Sequence, residues 1–179
     1  PRNATLNTVA PTGTISIICG CSSGIEPLFA LSYVRNVLSG TKLFEIHPLF
    51  ADELRHRGLY SKDLMAKIGK AGSIQDMEKI PEDIKRLFVI SFDVTPEQHL
   101  KIQAAFQRHT DNSVSKTINL PTEATVDDVA HIYMQAYVLK CKGITIYRYG
   151  TREQQVLSFG SQAGSKEDET ANLITAESE

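Results

Sequence analysis

The residues best suited to chemistry lie in two short stretches near the start of the chain. They read Ala-Pro-Thr-Gly-Thr-Ile-Ser over 10–16 and Ser-Gly-Ile-Glu-Pro over 23–27. Pro11 and Gly13 set a tight turn, and Thr14 and Ser16 carry hydroxyls where an apolar run begins. A helix start leaves about four backbone N–H groups unpaired, and such groups attract phosphate. The pattern predicts an anion-binding helix start, for which an ordinary helix cap is the alternative.

The elements that must position this turn are short. Residues 4–10 read as an extended arm leading into it, and residues 14–21 as a short helix. Residues 28–46 look extended, with a hairpin that turns at Ser39-Gly40. The pattern then becomes helical, with one helix from Pro48 to near Gly58, one capped by Ser61 and one over 81–88.

Two longer helices follow, and each opens with a capping sequence. Thr95-Pro96-Glu97-Gln98 opens a helix to about His109, and Thr125 with Asp128 opens another to about Lys140. The second helix has a wide apolar arc, which predicts cover on two sides. In the first helix the residues expected to be buried are Leu100, Ile102, Ala104, Ala105 and Phe106.

Strict alternation predicts a strand over 111–121. One face holds Val114, Lys116, Ile118 and Leu120, while the other holds only small polar residues. The polar face suits the lining of a polar cavity, and a solvated sheet face is the alternative. A buried strand is expected over 143–147, so that strand, helix and strand form a parallel crossover.

Composition limits the function classes. The chain has 179 residues and a net charge of −2, which argues against a general nucleic-acid binder. The sequence shows no membrane span or targeting motif, so a cytoplasmic location is expected. No cysteine pair has zinc-finger spacing; Cys19 and Cys21 could form a redox pair or half of a metal site, but two small buried thiols in a reducing compartment are favoured. The histidines lack metal-ligand spacing and are predicted to be surface or capping residues. The cysteines and histidines of the chain are Cys19, Cys21, Cys141, His47, His56, His99, His109 and His131.

Four motifs in one order resemble the C-terminal part of the catalytic barrel of ribonucleotide reductases, above all the adenosylcobalamin-dependent class II enzymes. They read VAPTGTIS over 9–16, GIEP over 24–27, HTDNSVSKTINLP over 109–121 and KGITIYRYGTR over 142–152. The resemblance implies an α/β fold that forms the C-terminal portion of a ten-stranded α/β barrel over residues 1–155. A flexible acidic tail is expected over 156–179.

The resemblance also implies a site. In the family, the segment matching the turn cradles the substrate phosphates, so backbone N–H groups and hydroxyls would come from Thr12, Gly13, Thr14, Ile15 and Ser16. The family's thiyl-radical cysteine sits on a finger loop upstream of this segment, and no catalytic residue is assigned here. Cys19, Cys21 and Cys141 do not match the family's reducing cysteines, and no metal ligand is assigned either.

We therefore expect a fragment of a ribonucleotide reductase that converts ribonucleotides to 2′-deoxyribonucleotides and is inactive alone. The resemblance implies adenosylcobalamin as cofactor for the whole enzyme, a thioredoxin-type reductant, a homodimer, and the missing N-terminal part of the reductase as partner. One alternative is a non-catalytic remnant that only completes a barrel. Another is a fragment of a class I large subunit. This alternative is disfavoured because class I relatives tend to carry an acid at the position of Gly13 and a tyrosine at that of Arg148. Tyr147 matches a class I radical-relay position, but a structural role for Tyr147 and Tyr149 is favoured.

Overall fold

The computed structural model describes residues 2–36, 42–151 and 157–158. Contacts divide the chain into two compact units. The first combines Pro1–Phe29 with Ile90–Glu153, and the second combines Ala30–Val89 with Gln154–Glu179. The elements in chain order are α1 Gly13–Cys19, β1 Ser32–Asn36, β2 Lys42–Ile46, α2 Pro48–His56, α3 Lys62–Ala71, α4 Glu82–Leu87, α5 Pro96–Gln107, β3 Thr117–Leu120, α6 Val126–Val138, β4 Thr145–Arg148 and β5 Leu157–Ser158.

The second unit is a small antiparallel sheet with three helices. Strands β1 and β2 pair from Ser32 with Ile46 to Asn36 with Lys42, which confirms the predicted hairpin. Its predicted turn at Ser39-Gly40 lies outside the described residues. The predicted tail over 156–179 is described only at β5, which pairs with β1. The side chain of Ser61 accepts a hydrogen bond from the Leu64 backbone and so caps α3 as predicted.

The first unit is built around the predicted parallel crossover. Strands β3 and β4 run parallel, from Thr117 with Thr145 to Leu120 with Arg148, and α6 connects them. Both capping sequences are confirmed at the starts of α5 and α6, where Thr125 and Asp128 form a full capping box. The core cluster consists of Leu100, Ile118, Leu120, Ile132 and Ala136.

Three predicted details of the first unit are wrong. Phe106 is exposed, because the buried stripe of α5 runs through Leu100, Gln103, Ala104 and Gln107. Strand β4 is only half-buried, and its Ile146 packs against the core cluster. Within the described residues α6 itself buries only Ile132 and Ala136. Its remaining apolar arc is exposed at Val126, Tyr133, Met134, Tyr137 and Val138.

The predicted strand over 111–121 is shorter than expected. Its alternation is correct, because Val114, Lys116, Ile118 and Leu120 are all buried, but regular pairing with β4 covers only Thr117–Leu120. The preceding residues bond to the arm at the start of the chain instead. No helix in the described part of the chain is long and apolar enough to cross a membrane.

Candidate functional site

The arm that leads into the turn at residues 11–16 is fixed by the segment before β3. Asn7 donates from its side-chain amide to the His109 carbonyl at 3.2 Å and accepts from the Asp111 backbone at 2.7 Å. The Asp111 carboxylate accepts from the Leu6 backbone at 2.8 Å. A parallel bridge then joins Val9 to Val114. Two of the motifs that carry the resemblance therefore meet here, and their contact sets the direction in which the chain enters the 11–16 turn.

The 11–16 turn leaves backbone donors free. Thr12 adopts a left-handed conformation with φ 53°, and its carbonyl accepts from the Ser16 N–H at 2.9 Å. The Ser16 hydroxyl is buried and donates to the Gly13 carbonyl at 2.8 Å. The described residues provide no acceptor for the backbone N–H groups of Gly13, Thr14 and Ile15. Gly13, Thr14 and Ile15 are themselves exposed, and Thr14 adds a hydroxyl to this stretch.

The loop of the GIEP motif contacts this turn. The Ser23 hydroxyl donates to the Pro11 carbonyl and lies 3.4 Å from the Thr12 hydroxyl. Gly24 has φ +52°, and a Cβ there would lie 3.2 Å from the Ala10 carbonyl oxygen. Only glycine combines that conformation with that closeness at little cost. The loop therefore contacts the 11–16 turn at Ala10, Pro11 and Thr12.

A fully buried lysine lies below this loop. The Lys116 ammonium donates to Glu26 Oε2 at 2.6 Å, to His99 Nδ1 at 2.8 Å and to the Thr117 carbonyl at 2.6 Å. Glu26 Oε1 accepts from the Thr117 backbone N–H at 2.6 Å. The Lys116 side chain is 0% exposed and that of Glu26 is 23% exposed. We call Glu26, His99 and Lys116 the Lys116 cluster.

The hydrogen bonds assign the protons of the Lys116 cluster. His99 Nε2 lies 2.9 Å from the Ser91 carbonyl, which can only accept, so Nε2 carries the proton and Nδ1 accepts from Lys116. Lys116 faces three acceptors and has three N–H donors, which fits the ammonium form. Burial lowers the pKa of Lys116, and the hydrogen bond to Glu26 opposes that shift. Burial also lowers the pKa of His99, so its ring stays neutral.

The prediction that all histidines are surface or capping residues is therefore wrong for His99, which is 0% exposed. His47 is at the N-cap of α2 and half-buried, while His56, His109 and His131 are exposed. The sequence contained one signal of the Lys116 cluster. A lysine on the apolar face of an alternating strand must be buried, and a buried charge requires partners.

The neutral state of His99 predicts a pH dependence of stability. In the unfolded chain the ring takes up a proton near the ordinary histidine pKa of about 6.5, whereas burial lowers the pKa of the folded ring. The free energy of unfolding should therefore fall as the pH drops from about 7 to 5, by up to about 1.4 kcal/mol per pH unit for one proton. His99→Gln, which offers an acceptor and a donor but does not titrate, should flatten this slope in urea denaturation series.

His47 provides the control for that slope. Burial lowers its pKa as well, so it contributes a slope of the same sign. His47→Gln should remove only its own share and leave the part that depends on His99. An unchanged slope in His99→Gln would show that the ring takes up its proton over the same pH range in the folded and unfolded states, so that burial does not lower its pKa.

The remaining candidates have structural explanations. Arg148 donates to the carbonyls of Ala124, at 3.1 Å, and of Thr122, so it fastens the loop between β3 and α6. Tyr149 packs edge-on against Phe92, with ring centroids 5.6 Å apart. The prediction that Cys19 and Cys21 are buried is wrong, because both are exposed in this structure. Burial raises the pKa of the half-buried Cys141. Among the described residues no group of three or more His, Cys, Asp or Glu side chains could hold a metal ion.

An open pocket of about 340 Å³ lies at the carboxyl end of β3, away from the 11–16 turn. Its polar lining comes from Glu97, Glu123, Asp128 and His131. Three carboxylates repel a phosphate group, so the pocket does not compete with the turn as an anion site.

Comparison with known proteins agrees with the motifs. A sequence model of the family described as "Ribonucleotide reductase, barrel domain" matches residues 1–147. A vitamin B12-dependent ribonucleoside-diphosphate reductase of Thermoplasma acidophilum is 47% identical over 176 residues, which are 97% of this chain and 23% of the relative. One from Mycobacterium tuberculosis is 47% identical over 160 residues, which are 89% of this chain and 22% of the relative.

A solved structure shows the same fold. The class Id ribonucleotide reductase alpha subunit of Actinobacillus ureae superposes with a TM-score of 0.69 at 24% identity. The matched region covers 83% of this chain and 27% of that subunit. The chain thus spans less than a third of each of these relatives. With the family model matching residues 1–147 and the relatives matching nearly the whole chain, this protein belongs to the ribonucleotide reductase family and comprises part of its barrel domain.

Proposed function

We propose that this chain is the part of a ribonucleotide reductase that closes the catalytic barrel and binds the phosphates of the substrate. The reaction of the whole enzyme replaces the 2′-hydroxyl of a ribonucleotide by hydrogen. The observation that carries the proposal is the 47% identity, over 97% of this chain, to a relative whose name states this activity. That name also supports a ribonucleoside diphosphate as substrate.

The phosphate site is the 11–16 turn. The free N–H groups of Gly13, Thr14 and Ile15 and the exposed Thr14 hydroxyl would donate to phosphate oxygens. Thr12 and Ser16 act differently, because the Ser16 backbone N–H and hydroxyl bond within the turn, to the carbonyls of Thr12 and Gly13. Their role is to hold the backbone in the shape that presents the free donors. Gly13 leaves open space on that side, since a Cβ there would meet nothing within 4 Å.

Adenosylcobalamin is the proposed cofactor of the whole enzyme, where it would supply the radical. Relatives named as vitamin B12-dependent support this choice. Arg148 supports it too, because it stands where class I relatives have the second tyrosine of the radical relay. Its side chain donates instead to the carbonyls of Thr122 and Ala124. The described residues offer no ligand cluster for a metal ion, so we assign no residue of this chain to the cobalt. A class I reductase remains the alternative enzyme.

The further partners follow from the resemblance. The substrate, the rest of the barrel, a thioredoxin-type reductant and a second copy of the full-length enzyme would act together in the cytoplasm. Adding the segment that the relatives carry outside the matched part should restore turnover to this chain, giving what we call the assembled reductase. Recovery supports the enzyme, and failure supports a non-catalytic remnant. Turnover by this chain alone would contradict the proposal.

Thr14→Ala in the assembled reductase should raise KM for a ribonucleoside diphosphate about tenfold to a hundredfold, because a hydrogen bond to a charged group contributes about 1.5–3 kcal/mol. The change in kcat should be smaller, since the contact exists in both ground and transition states. Steady-state kinetics measure both constants. Thr145→Ala is the matched control, as Thr145 is an exposed threonine on β4 of the same unit. Equal KM values in the two variants would contradict a phosphate role for the turn.

A further inference from the structure

We propose that the Lys116 cluster is a positioning device that holds the 11–16 turn in place for the substrate phosphates. The inference rests on the proposed function of that turn. It assigns a role to Glu26, His99 and Lys116, none of which reaches the free donors of the turn. The hydrogen bonds of the lysine, and the segments that they join, carry this role.

Lys116 cannot itself bind a phosphate group. Its side chain is 0% exposed, and its three N–H donors already meet Glu26, His99 and the Thr117 carbonyl at 2.6–2.8 Å. A lysine that bound an anion would keep at least one donor directed at solvent. The ammonium instead joins three separate segments: the GIEP loop, helix α5 and strand β3. Its function is therefore to fix these segments relative to one another.

Glu26 extends that connection to the strand backbone. One carboxylate oxygen accepts from Lys116 and the other from the Thr117 N–H, both at 2.6 Å. Thr117 is the first residue of β3, so the GIEP loop is attached to the point where the parallel sheet begins. Charge-assisted bonds of this length are stronger than neutral ones, and burial strengthens them further.

The GIEP loop passes this constraint to the turn. Two residues before Glu26, Gly24 lies against the Ala10 carbonyl, and Ser23 bonds to the Pro11 carbonyl beside Thr12. A shift of the loop would therefore move Ala10, Pro11 and Thr12, the residues that aim the free N–H groups. Misplacement of a binding group by about 1 Å can cost on the order of a hundredfold in catalysis.

The test is Glu26→Gln in the assembled reductase, with KM and kcat measured for a ribonucleoside diphosphate. The glutamine side chain would keep an acceptor for the Thr117 N–H but lose the charge that holds Lys116. We expect KM to rise at least fivefold, with a smaller change in kcat. Ser23→Ala, which cuts the link to the turn without disturbing the buried charge, should raise KM in the same direction.

Leu54→Ala is the matched control, because Leu54 is a 0% exposed residue of the second unit. It should lower the amount of folded enzyme, and hence the apparent kcat, and leave KM unchanged. If Glu26→Gln does not fold, Glu26→Asp replaces it, as it keeps the charge and shortens the side chain. A KM unchanged in the Glu26 variant, while Thr14→Ala raises it, overturns this inference alone. Unchanged KM in both overturns the proposed phosphate site.

Discussion

Replacing Lys116 by methionine is expected to lower the free energy of unfolding by about 3–5 kcal/mol, the usual cost of breaking a buried ion pair from one side. Methionine fills much of the volume but offers no donor. His99 Nδ1 and the Thr117 carbonyl would lose a hydrogen bond inside the protein, and Glu26 would lose its counter-charge. Chemical denaturation of the assembled reductase, followed by a probe in this domain, measures the loss.

A double-mutant cycle provides the control. In Lys116→Met with His99→Leu, the imidazole no longer lies unpaired, so the double variant should lose less stability than the sum of the two single variants. Strict additivity would show that Lys116 and His99 do not interact in solution. A loss below about 1 kcal/mol in Lys116→Met would show that the lysine is hydrated rather than enclosed.

The Lys116 cluster also shows what a sequence can and cannot predict. Alternation along 111–121 placed Lys116 on the buried face, which the structure confirms at 1% exposure. Nothing in the sequence identified its partners, because Glu26 is 90 residues away and His99 lies on a different element, helix α5. Local patterns report which face a residue occupies. They carry no information about which distant segment covers that face.

The 11–16 turn likewise has features that the sequence predicted and features that it did not. Helix α1 begins at Gly13, only one residue before its predicted start. The prediction was this close because the residues that encode a helix start are adjacent in sequence. The Ser16 hydroxyl donates within the turn, to the Gly13 carbonyl, which residue types alone could not predict. On α6 the wide apolar arc predicted two covered sides, and the described part of the chain covers one. Cover from elsewhere in a larger barrel would account for the rest of that arc.

The motifs that carry the family resemblance have two roles: one stretch presents backbone N–H donors, and other residues hold that stretch in place. The stretch over 13–15 presents backbone N–H groups for which the described residues provide no acceptor. Residues 109–115 hold the incoming arm through Asn7 and Val9, while Glu26 and Lys116 join the loop to β3. Several residues from three of these motifs therefore fix the position of one short turn.

Gly24→Ala is the second large effect that we expect. An alanine at φ +52° costs about 1–2 kcal/mol, and its Cβ would lie 3.2 Å from the Ala10 carbonyl oxygen, which adds about 1–3 kcal/mol of overpacking. The backbone at Ala10 can relieve the contact only by moving, and it leads directly into the 11–16 turn. We therefore expect a total loss of about 2–5 kcal/mol in the free energy of unfolding, together with a raised KM. Thermal denaturation and steady-state kinetics measure the two effects separately.

The Gly58→Ala variant separates the backbone strain of a positive φ from the steric contact that Gly24→Ala would make with Ala10. Gly58 has φ +66°, and a Cβ there would meet nothing within 4 Å, so this variant carries the backbone strain alone. It should lose only about 1–2 kcal/mol and keep a normal KM. The difference between the two variants then measures the contact with Ala10 and its effect on the turn. If both variants lose the same stability and keep the same KM, the GIEP loop does not press on the turn, and support for the phosphate site must come from the arm at Asn7 and Val9 alone.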